Sequence, residues 1–269
     1  MEIKKYIMPG LAVLLLLFCS CKKEADLSIS QYPVVEAYLH PGREVRVRLT
    51  QQKGPTDTAA YGLPLDGMAV SVSDGATSRI LTEDKPGIYL LKDSTFVKGS
   101  GVYSLRFDYQ GKTVSATTVM PSKPELLSIS ATELAVADFV FGGPRPDELP
   151  TVKLSWSNPE SKSHLVFFKY LEPAKVAINS FFTRDTLSNV EINAVQAGFI
   201  DVQQMNFRYL GRYRVVLARV NEEYTELLNG SGNSSQNLTN PPTNVKNGFG
   251  IFTAIQTDTL AVPFVIRRE

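Results

Sequence analysis

The chain has 269 residues, with 28 Lys and Arg against 27 Asp and Glu, two Cys and two His. A formal net charge of +1 leaves no basic excess to neutralise phosphates, which argues against a nucleic-acid partner. Both cysteines, Cys19 and Cys21, lie near the N-terminus, so the part expected to fold holds neither a disulfide nor a cysteine metal site and must be stabilised by burial alone.

The first 21 residues are laid out as a secretory signal. A short basic start, Met1 to Lys5, precedes an unbroken apolar run from Leu11 to Phe18, then Ser20, Cys21 and the charged Lys22-Lys23-Glu24. The run falls short of the ~20 residues that a membrane-spanning helix needs. The ending Phe18-Cys19-Ser20-Cys21 resembles a bacterial lipobox, which implies a signal peptide of residues 1–20 and lipidation of Cys21. Cys19 is the poorer lipid site, because bulky Phe18 stands where a small residue belongs. The competing readings are an unlipidated cut after Ala12 or Ser20 and an uncleaved anchor. Two or more acyl chains would hold the protein on a membrane where a single chain is marginal. Cleavage before Cys21 leaves 249 of the 269 residues and removes Lys4, Lys5 and Glu2, so 26 basic residues balance 26 acidic ones. That length suits one large or two ordinary domains.

Residues 21–31 read as a polar, lipidated tether, and from Tyr32 the pattern is β. Val34 to Leu39 precedes the turn pair Pro41-Gly42; Val45, Val47 and Leu49 then alternate with Glu44, Arg46 and Arg48, as in a half-buried strand. Gln51 to Pro64 is a Gly/Pro/Thr loop. Met68 to Val72 leads into Asp74-Gly75, a type I′ hairpin signal, with Arg79-Ile80-Leu81 returning. Gly87-Ile88-Tyr89 and Gly101-Val102-Tyr103 each enter a strand. This Gly-x-Tyr arrangement resembles the tyrosine corner of immunoglobulin-like sandwiches, where the hydroxyl fastens the strand to a preceding loop; a plain strand tyrosine is the alternative. The second cassette runs on through Phe107 and Tyr109, turns at Gln110-Gly111 and returns as Val114, Ala116 and Thr118. Met120-Pro121-Ser122-Lys123-Pro124 interrupts any ladder and reads as a linker, so residues 32–121 are expected to form one immunoglobulin-like β-sandwich.

Residues 122–269 are expected to form a second sandwich, fibronectin type III-like, with loop insertions. Leu127 to Ser130 is a short strand, and residues 137–149 are a Gly/Pro-rich loop. Val152, Leu154 and Trp156 alternate with Lys153, Ser155 and Ser157 before Asn158-Pro159, a run that resembles the second strand of a fibronectin type III module. The alternation makes Trp156 a core plug between two sheets; a ligand-stacking Trp is the rival reading. Leu165 to Tyr170 is apolar on both faces, as a central strand would be. Phe181-Phe182 and Val190-Glu191-Ile192 read as strands. Tyr213, Val215 and Leu217 face one way and Arg212 and Arg214 the other, with Val216 breaking the polar row. Asn221-Glu222-Glu223 opens the single short helix, with Asn221 as cap, Tyr224, Leu227 and Leu228 as its apolar face and Gly230 as its end. Residues 231–247 form a polar loop, and Gly248 to Phe252 returns to β. Val262-Pro263-Phe264-Val265 closes the chain, its proline expected at an edge or bulge. The fold class is therefore all-β, two tandem sandwiches with one short helix in the second.

Several motifs together resemble the DUF4249 family, uncharacterised envelope lipoproteins of Bacteroidota. They are the lipobox, Val34-Val35-Glu36-Ala37-Tyr38, Pro86-Gly87-Ile88-Tyr89, and Gly111-Lys112 followed by a strand into Met120-Pro121. The most specific is the closing Asn244-Val245-Lys246-Asn247-Gly248-Phe249-Gly250-Ile251-Phe252. The resemblance covers essentially the whole mature chain. It implies a lipid-anchored protein of the outer membrane, on its periplasmic or surface face. Because family members often sit beside TonB-dependent outer-membrane receptors, it also implies an accessory role with such a receptor as partner.

The residues spell no catalytic, metal or cofactor site, and none is expected. His40 lies beside the Pro-Gly turn and His164 at a strand start, without the His-x-x-x-His spacing of a zinc site. There is no Gly-x-Ser-x-Gly elbow, and neither Gly230-Ser231-Gly232 nor Gly248-Phe249-Gly250 continues into a phosphate loop. Three non-catalytic roles remain. A receptor accessory would use loops 51–64, 139–150 and 230–247 as contact surfaces. A glycan-binding lipoprotein would use Tyr61, Phe139, Phe141 or Phe249, each of which also suits loop packing. A structural envelope protein would bind nothing. Asp57-Thr58, Asp93-Ser94, Asp185-Thr186 and Asp258-Thr259 resemble the acceptor of Bacteroidota O-glycosylation, making Thr58, Ser94, Thr186 and Thr259 candidates; ordinary Asp-Thr turn chemistry is the other reading.

Overall fold

The computed structural model describes residues 32–54, 57–136, 150–179, 187–230 and 242–269. Before the linker the chain supplies β1 (Pro33–Leu39), β2 (Val45–Gln51), β3 (Ser71–Ser73), β4 (Ser78–Ile80), β5 (Thr82–Lys85), β6 (Ile88–Leu91), β7 (Val102–Tyr109) and β8 (Lys112–Val119). After it come β9 (Glu125–Ile129), β10 (Glu133–Val136), β11 (Thr151–Ser157), β12 (His164–Tyr170), β13 (Val176–Ala177), β14 (Val190–Val195), β15 (Phe199–Gln203) and β16 (Tyr209–Val220). Helix α1 (Glu222–Gly230), β17 (Val245–Lys246), β18 (Phe249–Thr259) and β19 (Phe264–Arg268) complete the fold. The protein is thus mostly β, as its alternating pattern predicts.

Among the described residues the strands form three sheets. The largest runs β10-β19-β16-β18-β1-β2-β6-β5, with β12 and β13 also pairing with β16 and β14 with β12. A five-stranded sheet runs β17-β8-β7-β3-β4, and a three-stranded one β15-β11-β9. Two cores lie side by side on one face of the large sheet. In the first, Val35, Ala37, Leu39, Val45 and Val47 meet Leu105, Phe107, Val114 and Ala116 of the five-stranded sheet. In the second, Val166, Phe168, Val215 and Leu217 meet Val152, Leu154 and Trp156 of the three-stranded sheet. Register shows that the face is shared: β18 sets Ala254 beside Leu39 and Asp258 beside Leu217, and residues four apart on a strand point the same way. On the opposite face, α1 lays Tyr224 and Leu228 over Leu165, Ala218, Val220 and Ile255. Val216 breaks the polar row of β16 where the strand is buried on both sides, from Val215 to Ala218.

The first core draws on strands from both sides of the boundary expected at residue 121. Val245, Phe252 and Ala254 belong to the first core although they come from the closing segment of the chain. β1 and β18 pair in parallel from Val34–Phe249 to Leu39–Ala254. Burial periodicity tells which side of a strand is covered, not which strand lies beside it. The linker is fastened to the same sheet: Lys123 Nζ lies 3.0 Å from Asp258, and Arg219 donates to both the Ser122 hydroxyl and, at 2.8 Å, Glu160.

Local expectations fare variously. Both Gly-x-Tyr cassettes close as corners. The Tyr89 hydroxyl donates to Leu65 O at 2.6 Å and accepts from Met68 N–H at 3.0 Å, and the Tyr103 hydroxyl accepts from Lys98 N–H at 2.7 Å. Asp74-Gly75 makes the β3–β4 reversal as a four-residue loop, closed by Asp74 N–H donating to Thr77 O at 3.2 Å. Only Gly75 has a positive φ there, whereas a type I′ turn needs two such residues. The closing strand is not at an edge; β19 lies between β10 and β16, and Pro263 precedes it, so no ladder bond is lost. The Asn221 amide donates to Val119 O at 2.7 Å, Thr118 Oγ1 at 3.0 Å and, within the helix it precedes, Glu223 Oε1 at 3.3 Å. The strand expected at Phe181-Phe182 and the loop 137–149 lie outside the described residues, as do the signal peptide and tether, residues 1–31.

Candidate functional site

The most specific motif of the sequence is a structural joint. Asn244 presents its side-chain amide to the backbone of Phe252 as a neighbouring strand would, donating to Phe252 O at 2.7 Å and accepting from Phe252 N–H at 3.1 Å. Val245 and Lys246 pair with β8, and Asn247 donates to Thr113 O at 2.8 Å. Gly250 has φ +92° and presses against the Val35 carbonyl, where a Cβ would lie 2.0 Å from the oxygen. The motif thereby clamps β18 between β1 and the five-stranded sheet, and its amides are spent on backbone.

A different arrangement occupies the outward face of the β1–β2 hairpin. Leu39, Val45 and Val47 point into the first core, so period-2 alternation turns Tyr38, His40, Glu44 and Arg46 outward. The Pro41-Gly42 turn adds Arg43, and pairing of Val45 with Leu91 brings Lys92 and Ser94 alongside. Together they line an open depression of about 500 Å³. Its charges are unbalanced. Glu44 is the one carboxylate in the lining and lies 3.6 Å from Arg46. No carboxylate among the described residues pairs with Arg43 or Lys92. Burial holds the His40 pKa below the ordinary imidazole value, and the positive charges of Arg43 and Lys169 push it the same way. Burial also pushes the Tyr38 phenol up to about 12, helped by the carboxylate of Glu36. Next to the depression, Arg48 spans Glu36, 3.6 Å away, and the ring of Tyr61, whose centroid lies 3.7 Å from the guanidinium carbon.

A family model described as "Domain of unknown function (DUF4249)" matches residues 24–261. The chain belongs to the DUF4249 family. A comparison with curated proteins found no match. Among solved structures the chain is similar to the FN1–FN3 domains of chicken CNTN1, at 14% identity and TM-score 0.29 over 88% of this chain and 65% of that one. It is also similar to a chimeric titin Z1Z2 functionalized with a decorin peptide, at 12% identity and TM-score 0.22 over 89% and 98%. Likeness at this level carries no functional weight.

In this DUF4249 protein the structure redistributes the residues singled out from sequence. Cys21, Phe139, Phe141 and Thr186 lie outside the described residues, with most of loops 139–150 and 230–247. Tyr61 is 52% exposed and stacked on Arg48. Phe249 is no loop aromatic: it opens β18, half-buried and edge-on to Tyr32 with ring centroids 5.2 Å apart. Trp156 is a core residue, 5% exposed, and tilts against buried His164 at 5.5 Å. Thr58 and Ser94 are exposed in loops, and Thr259 is exposed on β18. Asp57 accepts Ala59 N–H at 2.8 Å and Asp93 accepts Thr95 N–H at 2.9 Å, which is ordinary Asx-turn chemistry. Among the described residues no three His, Cys, Asp or Glu side chains gather as metal ligands, and no helix is long and apolar enough to cross a membrane. The grouping of Arg43, Arg46 and Lys92 was not foreseen. Two of these cations follow the Pro41-Gly42 turn in sequence, but Lys92 arrives through the β2–β6 ladder, which no local pattern reveals.

Proposed function

We propose that this protein is a lipid-anchored lipoprotein of the outer membrane, acting without catalysis as a binding accessory of a TonB-dependent receptor. The lipobox ending at Cys21 supports the anchor, and membership of the DUF4249 family supports the envelope address. One observation carries the binding role: an open depression whose Arg43 and Lys92 pair with no carboxylate among the described residues, mounted on strands whose other face is locked into the first core. Sites on paired strands hold their geometry better than sites on free loops. We read the two cores as two tandem sandwiches, immunoglobulin-like then fibronectin type III-like, sharing β18; the two tyrosine corners and the buried Trp156 support this. The glycan-binding alternative is favoured by Tyr61, half-exposed beside the same depression. Exposure of Thr58, Ser94 and Thr259 supports their use as O-glycan acceptors, and an intact mass equal to peptide plus lipid would exclude it.

The test is co-purification of the native protein from detergent-solubilised outer membranes. A TonB-dependent receptor should accompany it, and Cys21→Ser should shift it to the soluble fraction. Absence of any receptor after crosslinking would overturn the accessory role, and membrane retention of Cys21→Ser would overturn the anchor.

A further inference from the structure

We infer that the depression at the β1–β2 turn binds a saccharide bearing carboxylate or phosphate groups; this deepens the binding role proposed above and rests on it. Two features of the site lead there. First, its charge is uncompensated. Arg46 shares Glu44, whereas Arg43 and Lys92 approach from different segments, the turn and the end of β6, and no carboxylate among the described residues pairs with either. Like charges held close together repel unless an anion joins them, and a guanidinium offers a planar pair of donors that matches an oxyanion. The field is felt inside the site, where Arg43 and Lys169 both disfavour protonation of His40.

Second, the lining suits hydroxyl-rich matter. Besides the cations it presents the Tyr38 phenol, His40, Ser94 and the single carboxylate of Glu44, and no aliphatic side chain. An acidic peptide of comparable affinity ordinarily needs an apolar or aromatic anchor sunk in a pocket. Tyr61, half-exposed beside the site, offers a ring face on which a sugar could stack.

The two histidines of the chain make a direct assay, because His40 lines the depression whereas His164 is buried beside Trp156. Histidine ring signals of the full mature protein would be followed by NMR against polygalacturonate, mannose 6-phosphate, neutral dextran, polyglutamate and phosphatidylglycerol vesicles. The expected result is movement of the His40 signal with polygalacturonate, mannose 6-phosphate or both, an unmoved His164, and no response to dextran. Which of the two responds tells carboxylate from phosphate. Arg43→Glu combined with Lys92→Glu should weaken that binding at least tenfold, and raised salt should weaken it too. Melting of the double variant should be unchanged, since both side chains are exposed. Equal binding by the double variant, movement of His164 alone, or silence towards both charged saccharides would overturn the inference. So would an equal response to polyglutamate or to vesicles, which would point to a peptide or a lipid surface. If the receptor still co-purifies while no saccharide binds, this inference falls and the accessory role stands.

Discussion

Replacing Gly250 by alanine tests whether the parallel β1–β18 joint holds the protein together. Gly250 has φ +92°, and a Cβ there would stand 2.0 Å from Val35 O, 2.9 Å from Val35 C and 3.0 Å from Val35 N. Those are backbone atoms of the adjacent strand, so β1 must move by about 1 Å or the pairing must open. Gly75 is the natural control: its φ is +87°, and a Cβ there would meet nothing within 4 Å. Both alanines carry the cost of a positive φ, about 1–2 kcal/mol. Only Gly250→Ala adds overpacking of the sheet, about 1–3 kcal/mol, for a total of about 2–5 kcal/mol. Urea unfolding separates the two when followed by far-ultraviolet dichroism and by fluorescence of the single tryptophan. Trp156 belongs to the second core and Gly250 packs on the first, so a shared sheet requires the tryptophan transition to shift as well. Equal losses at Gly250 and Gly75 would refute the packing estimate. A dichroism shift that leaves the Trp156 transition in place would show that the two cores unfold separately.

Trp156→Ala should cost about 3–5 kcal/mol, because it empties a site in the second core; a midpoint shift near zero would mean that the ring is not a plug. Tyr89→Phe should cost about 1–2 kcal/mol by stranding Leu65 O and Met68 N–H, measurable as a lowered urea midpoint with unchanged slope. Acidification should destabilise the protein through its two histidines. Burial lowers the pKa of both in the folded state, with Arg219 adding to it at His164 and Arg43 and Lys169 at His40. The unfolded chain therefore takes up protons first as pH falls below about 6.5, so stability is whole above that value and declines below it. Unfolding midpoints at pH 7.5 and 5.5 check this, and combining His40→Asn with His164→Gln should flatten the slope; equal or higher stability at pH 5.5 would reverse the sign.

Period-2 alternation determined the β class and the inward sets Val152-Leu154-Trp156 and Val45-Val47-Leu49, and the acidic first turn with its i, i+3, i+4 apolar face determined the short helix after Asn221. Each is a local property, since a strand's two faces and a helix's single stripe are written in neighbouring residues. The Gly-x-Tyr cassettes were legible as corners for the same reason, glycine and tyrosine standing two residues apart. The tertiary structure alone decided which strands neighbour one another. It placed β18 against β1, made the Asn244–Phe252 motif a joint, and buried Ala218 and Val220 beneath a helix that the strand pattern does not announce. It also gathered the cations of the candidate site, because Lys92 reaches Arg43 and Arg46 only across the β2–β6 ladder. Strand pairing between distant segments is chosen by the fit of whole faces and the closure of the entire chain, and no window of sequence contains that information.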